Sequence, residues 1–546
     1  MAWNNARQVR RRPVTERIFH SAPASRKILP GKRMDPQDEE KTVVACGTAR
    51  AAADRFSDTS LVFSSRTRPV DLSETGASRY TGAGIWERQL RHDGRDRARQ
   101  PVAAAGRAVH NPKPRSRALN PFTSLRRHLT PAQINIYFSI VCFLSPVIGS
   151  AVSFAFNAGG AWSVLLVALK RRCLNVDRPM LAMTAAIYAY CAAQVLASTV
   201  NGSIPADLRH FVPLITFLFF PISYSTWSIT EKATLVRIAV LASMVACFGA
   251  LALAILQYYW LGIRAKGGAG NAIVFATVAS LAVMICVAAA LSGIEKRWKT
   301  MAAAALAGSI AIVYSGTRII WLAMLVAGIA VLLINRRRFT SANLTRLVLI
   351  AGAAFLAVAA IGFPVIMDRA DFLFNDWNAL TTKGDYTTAL GLRVALWEIG
   401  LRAFREMPLF GHGIAASQAL MKQGFHDQFG MDEGFSHYHN GFLTALVQAG
   451  LVGAFALAAI FVVAARNAAK VLRTHADPLE RFGATMIVVT VITYLIGGLT
   501  GIVVGHDILD CVLMVFLISG TYLACGRTVS PIGKSTPAAA PAAGQT

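Results

Sequence analysis

From Ile134 onward, the chain alternates between long apolar stretches and short polar connections. A membrane-spanning helix needs about 20 predominantly apolar residues, and on that measure the sequence predicts about twelve spans between residues 131 and 527. They begin near Ile134, Ser153, Met180, Leu208, Ala233, Asn271, Thr300, Thr317, Leu347, Asn440, Gly483 and Asp507. The predicted fold class is therefore an all-α polytopic membrane protein.

The first 130 residues do not share this pattern. They contain 26 basic and 12 acidic side chains, and stretches such as RQLRHDGRDRAR at 88–99 offer too little apolar surface to offset the entropy lost on ordering. Residues 1–130 are predicted to be a disordered basic cytoplasmic tail, with a translation start further in, for example at Met34, as the alternative. Residues 528–546 are predicted to be a second disordered cytoplasmic tail. No nucleic-acid reader motif accompanies the basic residues, so no nucleic-acid partner is expected.

Composition and charge indicate the class and the orientation. Of the 546 residues, 54% are hydrophobic and 15% are charged, against roughly 25% charged in an average soluble domain, which argues against a large water-soluble enzyme. With the N-terminus in the cytoplasm, the connections on that side carry sixteen basic residues, and the short connections on the other side carry four. Because basic residues favour the cytoplasmic side, both termini are predicted to be cytoplasmic.

A hydrophilic segment at residues 367–438 separates the ninth predicted span from the tenth. On the predicted orientation it lies outside the cytoplasm. It is too long for an ordinary connection in a compact bundle, which indicates a functional segment. All eight cysteines lie elsewhere and no CxxC pair is present, so the sequence predicts neither a disulfide framework nor a cysteine metal site.

Within that segment, residues 391–407 (GLRVALWEIGLRAFREM) are predicted to form an amphipathic helix that ends before Pro408. Its polar face holds Glu398, Arg402, Arg405 and Glu406. Arg393 falls on the opposite face with Trp397. A cation on an apolar face needs a partner, and the candidates are an anionic ligand, an acidic neighbour or a lipid phosphate.

Two further outer cationic sites lie beside small residues at the ends of spans. Arg318 follows Ser315-Gly316-Thr317 and serves either an anionic ligand or the lipid headgroups, as a snorkelling arginine does. Arg264 precedes KGGAGN at 266–271, whose backbone N–H groups either cradle a phosphate or belong to an ordinary flexible loop. The stretch lacks the GK[ST] ending of a P-loop, so nucleotide binding is not predicted.

The segment FSHYHNGF at 435–442 leads directly into the tenth predicted span. Asn440 is placed to cap that helix. A neutral His439 at the same point is able to accept a proton from a sugar hydroxyl, and a purely structural histidine is the alternative. His437 and His439 have a spacing that suits a metal, but no third ligand is evident, so no metal is predicted.

These motifs, in this order and on this topology, resemble the O-antigen ligase and polysaccharide polymerase superfamily of bacterial inner-membrane glycosyltransferases. The resemblance covers residues 134–525. It rests on Arg264 with Gly270-Asn271, Ser315-Gly-Thr-Arg318, GLRxxLW at 391–397, PLFGxG at 408–413 and HNGFL at 439–443. It implies a transmembrane glycosyltransferase domain at residues 131–527, with its active site on the periplasmic side, where the 367–438 loop lies.

The resemblance also implies a chemistry. A glycan passes from an undecaprenyl diphosphate carrier to a sugar hydroxyl, without metal or cofactor and with inversion if the attack on the anomeric carbon is direct. His439 is then the base or orienting group for the acceptor, Arg318 and Arg393 bind the diphosphate, and Arg264 assists. Supporting or acceptor-side roles fall to Asn440, Trp397 and His437.

Three acceptors stay open at this stage. Lipid A-core would make the protein an O-antigen ligase, another carrier-linked glycan would make it an O-antigen or exopolysaccharide polymerase, and a protein acceptor is a third possibility. From a different class, a secondary transporter also fits twelve spans in contact with membrane lipid. No clear internal repeat is visible, however, and the candidate residues cluster at the outer interface rather than at mid-membrane depth.

Overall fold

A computed structural model describes residues 131–170, 172–432, 434–474 and 477–529, all within one compact unit of the chain. The tails predicted at 1–130 and beyond residue 529 lie outside these ranges. Within them the chain forms helices and connecting turns, with no β-strand. Nine of these helices are long and apolar enough to cross a membrane. The protein is an all-α polytopic membrane protein, which confirms the predicted class.

Fourteen helices of more than ten residues carry the fold in the described ranges. They are α1 Pro131–Phe143, α2 Ala151–Ala168, α3 Arg178–Val200, α4 Lys232–Ile255, α5 Ala272–Ser292, α6 Trp298–Ser315, α7 Arg318–Asn335, α8 Ser341–Ile361, α9 Phe363–Lys383, α10 Ala389–Glu406, α11 Ile414–Phe429, α12 Gly441–Thr474, α13 Pro478–Gly497 and α14 Asp507–Cys525. Shorter helical turns lie at Ser145–Ile148, Ile204–Asp207, Leu208–Phe211, Leu214–Leu218, Phe220–Trp227, Leu256–Trp260, Gly267–Ala269 and Arg336–Arg338. The nine candidate spans are α2–α5, α7, α8 and α12–α14.

The fourth predicted span, near Leu208, is not one helix, and the prediction is wrong on this point. The chain there forms short helices that restart at Pro213 and Pro221. A proline has no N–H to donate, and its ring clashes with the preceding turn. The carbonyl of Leu218, at the end of one of these short helices, accepts a hydrogen bond from the Tyr188 hydroxyl at 2.9 Å. Such side-chain bonds replace the missing helical ones where no water is available.

Burial separates the central helices from the peripheral ones. Nearly every residue of α5 and α14 is buried, whereas α8 has no buried residue. Small residues let the central helices approach closely: a Cβ on Gly308 of α6 would lie 2.5 Å from the Val283 side chain of α5. Close packing of this kind associates helices in lipid, where the surrounding chains are as apolar as the helices themselves. The α8 helix therefore lies at the edge of the bundle.

Helix α12 is broken at Ala449 and Gly450, whose backbone angles are not helical. The PLFGHG segment at 408–413 runs across this break. Four backbone hydrogen bonds join them: Leu451 N to Pro408 O at 2.8 Å, Val452 N to Leu409 O at 3.2 Å, His412 N to Val447 O at 2.9 Å and Gly413 N to Gln448 O at 2.9 Å. A Cβ on Gly450 would lie 2.3 Å from the Leu409 backbone, so the close approach requires glycine there. The segment thus supplies partners to the backbone groups that the break exposes.

The hydrophilic 367–438 segment folds into helices rather than an open loop. The amphipathic helix predicted at 391–407 is confirmed as α10, Ala389–Glu406, with the predicted polar residues exposed. Helices α10 and α11 pack over the first part of α12 around a separate apolar core. This core consists of Ala395, Leu396, Ile399, Ala403, Met421, Phe425, Tyr438, Leu443 and Val447.

The connections between helices sort into two groups by their mutual contacts. Those predicted to be cytoplasmic meet each other: Lys232 pairs with Glu480 at 3.2 Å, and Val529 N donates to Ser228 O at 3.0 Å. Those predicted to be outer meet at the opposite end, where Arg264 contacts Ser315. We call the first group the basic end and the second, together with the 367–438 segment, the loop end.

Candidate functional site

The glycine-rich stretch after Arg264 is held against the bundle. Arg264 Nε donates to the Ser315 carbonyl at 2.9 Å, and the side-chain oxygen of Gln257 accepts from the backbone N–H groups of Lys266 and Gly267 at 2.7 and 2.9 Å. The Asn271 side chain caps α5 by accepting from Ile273 N at 2.8 Å. Two of the N–H groups predicted to cradle a phosphate are therefore already used. The stretch positions the Arg264 guanidinium instead, and it is not an open flexible loop.

Arg318 begins α7 and contacts a residue that the sequence did not single out. Its Nη1 donates to the carbonyl of Arg369 in α9 at 2.6 Å. The Arg369 side chain in turn lies against Gly316, where a Cβ would approach Arg369 Nε to 2.7 Å. Gly316 has a positive φ of 63° at the end of α6, so glycine is required there for both conformation and space. Arg369 Nε is buried and has no hydrogen-bond partner in the described part of the chain.

Arg393 lies on the inner face of α10, as predicted, and is half-buried. Its guanidinium makes no hydrogen bond or ion pair within the residues that the structure describes. The charge of opposite sign that influences it belongs to Asp376 of α9. Asp376 is itself engaged, because it accepts a hydrogen bond from Leu390 N at 3.2 Å. The acidic neighbour considered for Arg393 is thus present but does not pair with it.

Four guanidinium groups influence one another electrostatically at the loop end. Burial, and then the charges of Arg369, Arg393 and Arg318, lower the pKa of Arg264 to about 10. Burial, and then the charge of Arg318, lowers the pKa of Arg393, while Asp376 acts in the opposite direction. Arg264 therefore stays charged at neutral pH, and we call these four groups the arginine cluster. Like charges held together at partial burial create a site for an anion.

His439 lies beside the arginine cluster in an unusual backbone conformation. Its φ of 47° falls in the left-handed region, which non-glycine residues seldom adopt and which recurs at functional sites. Its Nδ1 is buried without a hydrogen-bond partner among the described residues. Burial, and then the charge of Arg393, lower the pKa of His439 to about 4. The imidazole is therefore neutral at neutral pH and is able to accept a proton.

The remaining predicted residues surround His439. Asn440 caps α12, its side-chain oxygen accepting from Phe442 N and Leu443 N, both at 3.1 Å, as the sequence predicts. The ring of His437 lies 4.5 Å from that of His439, centroid to centroid, and burial followed by the charge of His439 lowers the pKa of His437 to about 4. Trp397 of α10 is half-buried, with its indole N–H buried and unpartnered in the described ranges. Within the same ranges, no group of three His, Cys, Asp or Glu side chains converges as metal ligands would.

Comparison with known proteins connects this geometry with a family. Residues 302–458, from α6 to just beyond the break in α12, match the O-antigen ligase family. This part of the chain is similar to O-antigen ligases. The matched residues contain three members of the arginine cluster and His439, whereas Arg264 precedes them.

A second comparison covers less of the chain. A stretch of 130 residues is 31% identical to an uncharacterized protein of Haemophilus influenzae (strain Rd). It covers 22% of this chain and 33% of that protein, so the chain spans about a third of the length of the curated relative that it matches.

Arg369 is the member of the arginine cluster that the sequence did not reveal. It lies in MDRADF at 367–372, where acidic neighbours on both sides give the pattern of a solvated helix face. One signal was present: Arg369 follows the end of the ninth predicted span by a few residues, and Arg318 lies at the matching end of the eighth. Two arginines at the same membrane boundary are candidates for one site, even though they are distant in sequence.

Proposed function

We propose that this protein is a glycosyltransferase that moves a glycan from undecaprenyl diphosphate to a sugar hydroxyl of lipid A-core. The observation that carries the proposal is the arginine cluster next to a neutral His439. A diphosphate ester brings several phosphate oxygens, and the planar guanidinium fork binds such oxygens through two parallel hydrogen bonds. The match to the O-antigen ligase family supports a ligase or polymerase type of reaction.

The arginines act on the leaving group. When the bond between the anomeric carbon and the diphosphate oxygen breaks, the electron pair stays on the diphosphate. Charged donors fixed around that oxygen stabilise the developing charge, and because they are already in place, little reorganisation is needed. Arg318 and Arg393 bind the diphosphate in this proposal, Arg369 joins them as a third cation, and Arg264 assists from the preceding connection.

His439 acts on the acceptor. The acceptor hydroxyl oxygen attacks the anomeric carbon as its proton passes to the imidazole, and direct displacement inverts the anomeric configuration. The charge of Arg393 contributes to the low pKa of His439. A bound diphosphate offsets that charge and so raises the basicity of His439 only when the donor is present. The base is thereby strengthened at the moment when the proton has to be removed.

The other residues around His439 have supporting roles. Asn440 fixes the start of α12, and the ring of His437 packs against that of His439. The free indole N–H of Trp397 is available to a sugar hydroxyl on the acceptor side. None of these residues needs to carry charge for the proposed reaction.

The proposed location is the bacterial inner membrane, with both termini in the cytoplasm and the loop end in the periplasm. The distribution of basic residues along the sequence supports this orientation. A carrier-linked diphosphate is an activated donor that needs no soluble nucleotide, which suits a site outside the cytoplasm.

The test is a gel of cell-surface lipopolysaccharide with and without the gene, in a strain that has no second copy of the enzyme. Loss of the whole O-antigen ladder, with polymer accumulating on its lipid carrier, supports the ligase. Core that carries a single repeat unit instead assigns the polymerase and overturns the proposed acceptor. An unchanged ladder overturns both O-antigen roles. Retention of the donor linkage, measured by NMR on the product, overturns direct displacement.

A further inference from the structure

A separate cavity lies at the basic end, remote from the arginine cluster. It is lined by α1, α2 and the short helix Phe220–Trp227, and its volume is about 130 Å³. Aromatic side chains, among them Phe138, Phe156 and Trp227, form part of its wall. Trp162 also lines it and is half-exposed on the outer surface of α2, where lipid surrounds the bundle. The cavity is therefore apolar and lies next to the lipid.

One charged side chain lines this cavity. Arg172, in the connection between α2 and α3, has only 9% of its surface exposed. Its Nη1 is buried and has no hydrogen-bond partner in the described part of the chain. Burial lowers the pKa of Arg172. Leaving a buried charge without a counter-charge is strongly destabilising, so this arrangement calls for an anion.

The nearby protein groups are already committed to other partners. One carboxylate oxygen of Asp177, the closest acid along the chain, accepts from Met180 N at 2.9 Å, and the other accepts from the Tyr224 hydroxyl at 2.8 Å. The Ser163 hydroxyl donates to the Gly159 carbonyl and accepts from Thr226, both at 2.8 Å. Within the described ranges, Arg172 is thus the cavity-lining residue that has a buried polar atom left unpaired.

We propose that the cavity binds one anionic phospholipid. The headgroup phosphate lies on Arg172, and the adjoining part of an acyl chain lies among the aromatic side chains. The chemistry of the cavity favours a lipid over a soluble anion, because one cation is combined with an apolar wall that is open towards the membrane. The site is at the opposite end of the bundle from the arginine cluster, so it is distinct from the proposed donor site.

The test measures lipid binding to the full chain in detergent by native mass spectrometry, with phosphatidylglycerol as the probe. Wild type is expected to retain one phosphatidylglycerol and to bind phosphatidylcholine more weakly, because the choline charge offsets the phosphate. Arg172→Gln should raise the dissociation constant roughly tenfold or more, the size of one charge-assisted hydrogen bond. Arg178→Gln is the matched control: it removes an exposed arginine from the nearby start of α3 and should bind as wild type does.

One further variant and one competitor complete the test. Arg172→Lys keeps the charge but loses the fork, and intermediate affinity is expected. If Arg172→Gln does not fold, this variant still decides the question. Equal binding by wild type and both Arg172 variants overturns the proposal, as does equal affinity for the two lipids. Displacement of the lipid by inorganic phosphate would show a phosphate site without lipid selectivity and would also overturn it. Glycan transfer does not enter any readout, so failure here leaves the proposed function unaffected.

Discussion

The two ends of the bundle both contain buried or half-buried cations, but these cations differ in the hydrogen-bond and ion-pair partners that the protein supplies. At the basic end, Lys232 pairs with Glu480, and Arg481 donates to the carbonyls of Leu472 and Ile334 at 3.2 and 2.9 Å. At the loop end, Arg264 and Arg318 each donate to one backbone carbonyl, but Arg393 makes no such contact within the described residues, where Asp376 is the acid that influences its charge. Cations that stabilise the fold have partners supplied by the chain. A buried or half-buried cation that is left without such a partner is available to an external anion, and Arg172 is an example at the basic end.

The largest expected effect comes from removing the unpaired cation. Arg393→Ala should lower the rate of transfer by about 100-fold to 1,000-fold, the usual result of deleting one donor that stabilises a developing oxyanion. The measurement is transfer by purified protein in proteoliposomes, at equal abundance in the membrane. Arg402→Ala is the matched control, because Arg402 is on the exposed face of the same helix. Equal activity of the two variants would remove Arg393 from the site.

A smaller effect is expected from Arg369, which approaches the cluster from α9. Arg369→Ala should reduce the catalytic efficiency of transfer roughly tenfold, because one charge-assisted hydrogen bond to the diphosphate is lost. The backbone carbonyl that holds Arg318 remains in the variant. Lys383→Ala removes an exposed cation from the same helix and should have no effect. Complete loss of activity in both Arg369→Ala and Arg369→Lys would indicate a structural role instead, because Arg369→Lys keeps the charge.

The pH dependence provides a test of how the cluster is coupled to His439. The free protein should keep its neutral imidazole down to a pH of about 4 and lose it below that value, because burial and Arg393 hold the pKa there. The acid limb of kcat/KM, which reports the free enzyme, should therefore lie near pH 4. With donor bound, the charge of Arg393 is offset and the acid limb of kcat should move to higher pH. Coincident acid limbs for kcat and kcat/KM would contradict the coupling.

The smallest effect is expected at the basic end. Lys232→Ala removes one side of the Lys232–Glu480 pair, which is mostly but not fully buried. The expected cost is about 1 kcal/mol of stability or less, with no change in transfer. Thermal unfolding in detergent measures the change in stability, and the proteoliposome assay measures the rate of transfer. If transfer falls as it does in Arg393→Ala, paired cations also serve the reaction and the contrast between the two ends does not hold.

Local pattern predicted much of this structure. The apolar lengths located the nine candidate spans, and the 3.6-residue period placed Arg393 on the inner face of α10. Asparagine is a preferred N-cap residue, and on that basis the sequence predicted that Asn440 caps α12. Each of these inferences depends on residues close together in the sequence, where propensity and periodicity are informative.

What the sequence did not reveal depends on contacts between distant residues. The break in α12 lies at Ala449 and Gly450, within an apolar run that has no proline, and its hydrogen-bond partners come from 408–413. The split of the fourth predicted span was signalled by Pro213 and Pro221, but the apolar length outweighed them. Arg369 was not identified because it lies among acidic residues in the sequence. Its proximity to Arg318 depends on the packing of α9 against Gly316.

Four backbone hydrogen bonds join residues 408–413 to the break in α12. They make the 408–413 segment a spacer of fixed length. It begins two residues after α10, which carries Arg393, and it is bonded on both sides of a break that follows His439 by ten residues. Inserting or deleting one residue in it would shift the register of four hydrogen bonds at once. The alignment of Arg393 with His439 is thus set by the number of residues in a connection that contains neither of them.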